Sequence, residues 1–184
     1  MATSFKSDAA HSQNWFVRFV VPALRHFGFT DIASTEARNS AAETLLDRGA
    51  GIDALARRRD GAIVALASRI IEVKPYGGEY SCFSLRDSRF SGNTTEFEKL
   101  QRAIKMNSVR PMWHCQTFVD VEKGKATVAL VRTKELVQFV ADNPLFKDTK
   151  DGTKFRLAPW HDLSKAGVKY WTVTMDGEGK KITA

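Results

Sequence analysis

Between Gly51 and Lys74 the chain reads GIDALARRRDGAIVALASRIIEVK, and the residues there whose types could do chemistry together are Asp53, Glu72 and Lys74. On a strand, Glu72-Val73-Lys74 turns Glu72 and Lys74 to one face and Val73 to the other, because successive side chains alternate. That sets a carboxylate beside an ammonium. Two carboxylates can hold a divalent cation, which acidifies a bound water and neutralises charge on a phosphate, while the ammonium orients or activates that water. The chemistry open to such a set is metal-assisted hydrolysis.

The element that must position these groups is a hairpin. Asp60-Gly61 is a turn dipeptide with apolar, strand-type residues on both sides, so the flanks should pair antiparallel through a two-residue turn. In that register Arg59 faces Ala62 and Asp53 faces Ser68, four residues, or roughly 13 Å, short of Glu72. A bulge, strand twist or displaced turn has to close the offset if both acids are to hold one ion. The same register sets Asp47 opposite Lys74, which makes Asp47 an alternative first-strand acid.

An aspartate on the first strand of a hairpin, with an acid and a lysine two apart on the second, resembles the PD-(D/E)XK nuclease superfamily over roughly residues 15 to 140. The resemblance implies a restriction-endonuclease-like α/β core, with a mixed central β-sheet flanked by helices. It also implies Mg²⁺ or Mn²⁺ held by Asp53 and Glu72, Lys74 beside the water, and DNA as substrate. Ile52 stands where the family name has proline. Nucleases of this class often add a glutamate from the first helix, which makes Glu43 a further metal candidate, although a helical glutamate that binds nothing is the plainer reading.

At 184 residues the chain has the size of one domain. The expected organisation is a flexible lead over 1–14, one domain over 15–175 and a frayed tail over 176–184. No apolar run is long enough to span a bilayer, the N-terminus lacks the order of a secretory signal, and two cysteines do not make a disulfide framework. A cytoplasmic setting without membrane association fits. The net charge of +7 points to polyanionic partners, nucleic acid above all. Its excess begins at the hairpin: residues 51–110 carry eleven basic against seven acidic groups, whereas residues 1–50 balance.

The remaining pattern is ordinary for an α/β domain. Trp15 to Phe27 should be a buried helix entered at or kinked by Pro22, and Ser34 or Thr35 should cap a helix reaching Asp47. Tyr80 to Arg86 reads as a strand beside Glu72, and Thr94 or Thr95 can cap a helix from Glu96 to Met106. Two apolar segments around Lys123-Gly124 form a second hairpin, after which Thr133 should cap another helix. Residues 145–154 read as a charged loop. His114 and Cys115 occupy adjacent strand positions and point apart, so no thiol–imidazole pair forms.

Arg86 and Arg89 flank the proposed site and are candidates for phosphate contact. Arg69 is a third, although alternation puts it on the face opposite Glu72, where a helix carboxylate can pair with it. Two functions follow. One is a Mg²⁺-dependent deoxyribonuclease; the other is an inactive, nuclease-like module that binds nucleic acid or protein. Both leave open a homodimer.

Overall fold

Nine strands and four helices are seen among the residues that the computed structural model describes, which are 12–35, 46, 50–73, 81–88 and 94–182. The first helix, α1, covers 12–26. Pro22 has no N–H for the Arg18 carbonyl, and the turn ahead of it widens to a π-turn over Phe16–Val20, with Val21 N–H donating to the Phe16 carbonyl. Strands β1 (Phe29–Ser34), β2 (Ala54–Arg58) and β3 (Ile63–Glu72) form an antiparallel meander. Beyond β3 come β5 (Trp113–Asp120), β6 (Lys125–Arg132) and β9 (Tyr170–Asp176), completing a curled six-stranded sheet in the order β1-β2-β3-β5-β6-β9.

β3 and β5 run parallel, from Leu66 opposite Trp113 to Glu72 opposite Val119. A parallel pair needs a crossover, and helix α2 (Glu96–Lys105) lies within it. Thr95 caps α2 in a capping box, its hydroxyl accepting from Glu98 N–H while Glu98 Oε2 accepts from Thr95 N–H at 2.9 Å. The expected start of this helix is therefore found. Helix α3 (Thr133–Asp142) also forms, but its N-cap is Arg132; Thr133 is its first residue, buried, with no side-chain partner among the described residues.

Two expectations change. Strand β4 (Cys82–Ser88) does not join the main sheet beside Glu72. It pairs with β8 (Lys154–Pro159), which pairs in turn with β7 (Leu145–Asp148), so part of the expected loop 145–154 is an exposed strand of a second sheet. Helix α4 (Trp160–Lys165) follows β8.

The six-stranded sheet is covered on both faces because its central strands bury alternate residues to each side. Along β6, Val128 and Leu130 meet α1 through Phe16, Phe19, Val20 and Leu24. Ala129 and Val131 face the other way, toward Phe97 and Leu100 of α2, Leu136 and Val140 of α3, and Phe83 and Leu85 of β4. Each fully buried leucine or phenylalanine contributes about 1.5–3 kcal/mol, so both layers hold the sheet. They also define two faces, and the site depends on which face each side chain takes.

Candidate functional site

The β2–β3 connection fixes the face of every charged residue on the hairpin. It is a three-residue loop, Arg59-Asp60-Gly61: Arg58 N–H donates to Ala62 O at 2.9 Å, and Gly61 N–H donates to Arg58 O at 3.0 Å. Gly61 takes φ +85°, the left-handed residue that such a loop requires. Ala54 consequently pairs with Leu66, and the register is one residue away from that of a two-residue turn. A slip of one residue exchanges faces. Continued to Asp53, the pairing sets it opposite Ala67, on the side of Arg69 and away from Glu72.

Glu72 points to the α1 face, where Trp15 Nε1 donates to its Oε1 at 2.9 Å. Asp53 lies on the α2 face; its Oδ2 accepts from Ser68 N–H at 2.6 Å and its own N–H donates to Leu66 O. Five residues along a strand is about 17 Å. With that separation and opposite faces, Asp53 and Glu72 do not fit one Mg²⁺ or Mn²⁺ ion, whose oxygen ligands lie within about 2.1 Å. Among the described residues no three His, Cys, Asp or Glu side chains gather as metal ligands. Lys74, Glu43, Asp47 and Arg89 lie outside the described residues.

On its own face Asp53 has charged company. It lines a cavity of about 400 Å³ with Arg69 of β3, Arg86 of β4, and Glu96 and Lys99 of α2. Glu96 is the hub. One of its carboxylate oxygens, Oε2, takes hydrogen bonds from the Arg69 guanidinium and, at 3.1 Å, from Arg86 N–H. Arg69 and Arg86 further share the ring of Phe155 on β8, their guanidinium carbons lying 4.9 and 5.8 Å from its centroid. Glu96 of α2 and Phe155 of β8 thus hold the Arg69 guanidinium, while Arg86 is fixed at its backbone by Glu96 and stacked on Phe155.

Behind Glu96 is His114 of β5, fully buried, its Nδ1 3.8 Å from Glu96 Oε1. Burial lowers its pKa to about 4; the Glu96 carboxylate works against that shift and the Arg69 guanidinium adds to it. The ring is neutral near pH 7, so this approach is not an ion pair there. Gln116, buried on the same strand, ties the two sheets: its Oε1 accepts from Ser84 N–H and Oγ at 3.3 and 3.1 Å. Cys115 points to the α1 core instead, and burial pushes its thiol up to about 12, which leaves it no nucleophile.

Asp53, Arg69 and Arg86 are thus brought together and Glu72 is not. Glu96, Lys99 and Phe155 join them without having been singled out from the sequence, as does His114, considered there only as a partner for Cys115. The capping-box spacing of Thr95 and Glu98 reveals the helix start, and hence that Glu96 sits in a first turn, but carries nothing about what it faces. Chemically, the cavity offers three cations against two carboxylates, one of them already neutralised by Arg69. It suits an anion. No protein-family model, curated protein or solved structure matches this chain.

Proposed function

We propose that this protein binds nucleic acid, DNA in the first instance, by its phosphate backbone at the Asp53–Arg69–Arg86–Glu96–Lys99 pocket. The observation that carries the reading is the convergence of Arg69, Arg86 and Lys99, from three separate elements, on one cavity. Arginine's planar fork matches phosphate oxygens, and a guanidinium already held by Glu96 and Phe155 loses little freedom when it binds. The fold that accompanies the reading is a restriction-endonuclease-like core. In its support, an antiparallel meander is followed by a helical crossover to a parallel strand, all inside one mixed sheet. Two free thiols, Cys82 and Cys115, support a reducing compartment such as the cytoplasm.

Binding is measured by fluorescence anisotropy on unrelated duplexes over a range of salt. Arg86→Ala with Lys99→Ala should weaken all of them alike and lower the salt slope by about 0.9 for each phosphate that is no longer neutralised. Unchanged affinity and slope would refute the reading.

Hydrolysis is a second reading, favoured by the two carboxylates, Asp53 and Glu96, that line the same basic cavity. Plasmid nicking with Mg²⁺ or Mn²⁺ tests it. Loss of nicking in Asp53→Asn and Glu96→Gln supports it, whereas intact plasmid with the wild-type protein leaves the chain a binding module. Nicking that depends on Glu72 would instead restore the Asp53–Glu72–Lys74 assignment.

A further inference from the structure

A second concavity, of about 390 Å³, opens on the α1 face of the sheet, away from the phosphate pocket. The β2–β3 turn frames one side through Arg58 and Arg59, and Trp113, Trp171 and Phe29 supply the aromatic walls. Trp113 meets Trp171 edge to face, with centroids 5.3 Å apart at 65°, and meets Phe29 at 6.1 Å and 80°. Trp171 lies on the edge strand β9 and is 43% exposed, a large π-surface open to solvent. A tryptophan that merely capped the core would account for the aromatic contacts but not for the cations around them.

Those cations are several and close. Arg132 lies over the Trp113 ring, its guanidinium carbon 5.3 Å from the centroid. Arg59 crosses Gly28 so tightly that a Cβ there would sit 3.0 Å from its Nε, and Gly28 has φ +93°. An adjoining hollow shares Arg58, Trp113 and Arg132 and adds Arg110 and Lys134. Asp60, paired with Arg58 at 2.8 Å, is the one acid among the residues lining the two hollows. Trp113 itself is only 8% exposed, and its indole N–H has no acceptor among the described residues, a donor of the kind that a bound ligand or water satisfies.

We propose that this cleft binds single-stranded nucleic acid, one unpaired base stacking on Trp171 while the flanking phosphates meet Arg59, Arg58 and the adjoining Arg110 and Lys134. Base–aromatic stacking accepts any base because each has a π-face, and a paired duplex keeps that face covered. The aromatic wall therefore selects single strands and the arginines supply affinity. This site is separate from the phosphate pocket and does not rest on it.

The test is anisotropy of a short labelled oligothymidine on the full chain, with competition by a duplex of equal length, by AMP and by an acidic, tyrosine-containing peptide. Trp171→Ala should weaken oligomer binding by about 5- to 150-fold, the range for loss of one stacked base, and Trp171→Phe should restore most of it. Arg59→Ala should lower the salt slope by about 0.7. Wild-type affinity in Trp171→Ala would overturn the proposal, as would competition by the duplex at equal concentration. Displacement by AMP as readily as by unlabelled oligomer would make this a free-nucleotide site, and stronger displacement by the peptide a protein-docking site; either result overturns the single-strand assignment. Should Trp171→Ala fail to fold, Trp171→Leu and the Arg58→Ala, Arg59→Ala pair take its place, with the same direction expected. The Trp171 effect is also measured in an Arg86→Ala background. Its persistence there, when Arg86→Ala alone changes nothing, would keep this site while rejecting the phosphate pocket.

Discussion

His114 should make the native state sensitive to mild acid. Its ring is fully buried, lies edge-on to Phe83 at 6.1 Å, and has neither nitrogen hydrogen-bonded among the described residues. The unfolded chain protonates this histidine near 6.5 and the native state only near 4, chiefly because burial disfavours the charged ring. Between those values the unfolded state binds more protons. The contribution to stability is therefore complete above about pH 6.5, falls as the pH drops through the window, and levels off below about 4. At about 1.4 kcal/mol per pH unit the full loss is about 3 kcal/mol. Urea unfolding of the wild type and of His114→Phe, from pH 4 to 8, isolates the effect. Phenylalanine keeps an aromatic ring against Phe83 but cannot titrate. The difference between the two curves should change by about 3 kcal/mol across the window, with the wild type losing stability relative to the variant as the pH falls. Parallel curves, or an imidazole NMR titration centred near 6.5, would refute the reasoning.

Glu96→Gln keeps an acceptor for Arg86 N–H but removes the charge that holds Arg69; both side chains are about one-fifth exposed. Losing one partner of a deeply buried pair costs about 3–5 kcal/mol, and solvent screening at this exposure reduces that to about 1–2 kcal/mol, read by urea unfolding. Asp53→Asn should bind duplex DNA more tightly, since one negative charge leaves the phosphate pocket while Glu96 still holds Arg69, and weaker binding in anisotropy would contradict the assignment. Thr95→Ala removes the capping box of α2 and should lower stability by about 1 kcal/mol in thermal or urea unfolding. An unchanged midpoint would mean that the first turn of α2 is held by the Glu96 contacts alone.

What was legible in the sequence was local. Asp60-Gly61 and Lys123-Gly124 marked both hairpins of the main sheet, Thr94 or Thr95 marked the start of α2, with Thr95 the cap that forms, and strand alternation put Arg69 on the face away from Glu72. Each of these follows from φ preferences, capping or the two-residue period of a strand, and a few neighbouring residues decide it. The length of the β2–β3 loop did not follow in that way. Asp-Gly serves a two-residue turn and, with glycine as its left-handed last residue, a three-residue loop as well. The packing of Ala54, Ala56, Val64 and Leu66 against α1 chooses between them, because only one register buries all four on that face. That single residue of register separates Asp53 from Glu72 and joins it to Arg69. Sheet membership was equally non-local: the alternation of β4 was visible, but its partner β8 lies far along the chain, where no local pattern in β4 points to it. Glu96 shows the same limit. In the sequence it is an acid in a helix's first turn, favoured by the helix dipole wherever that helix lies. Only the crossover from β3 to β5 sets it between Arg69, Arg86 and His114, and so turns a helix-start residue into the centre of a binding pocket.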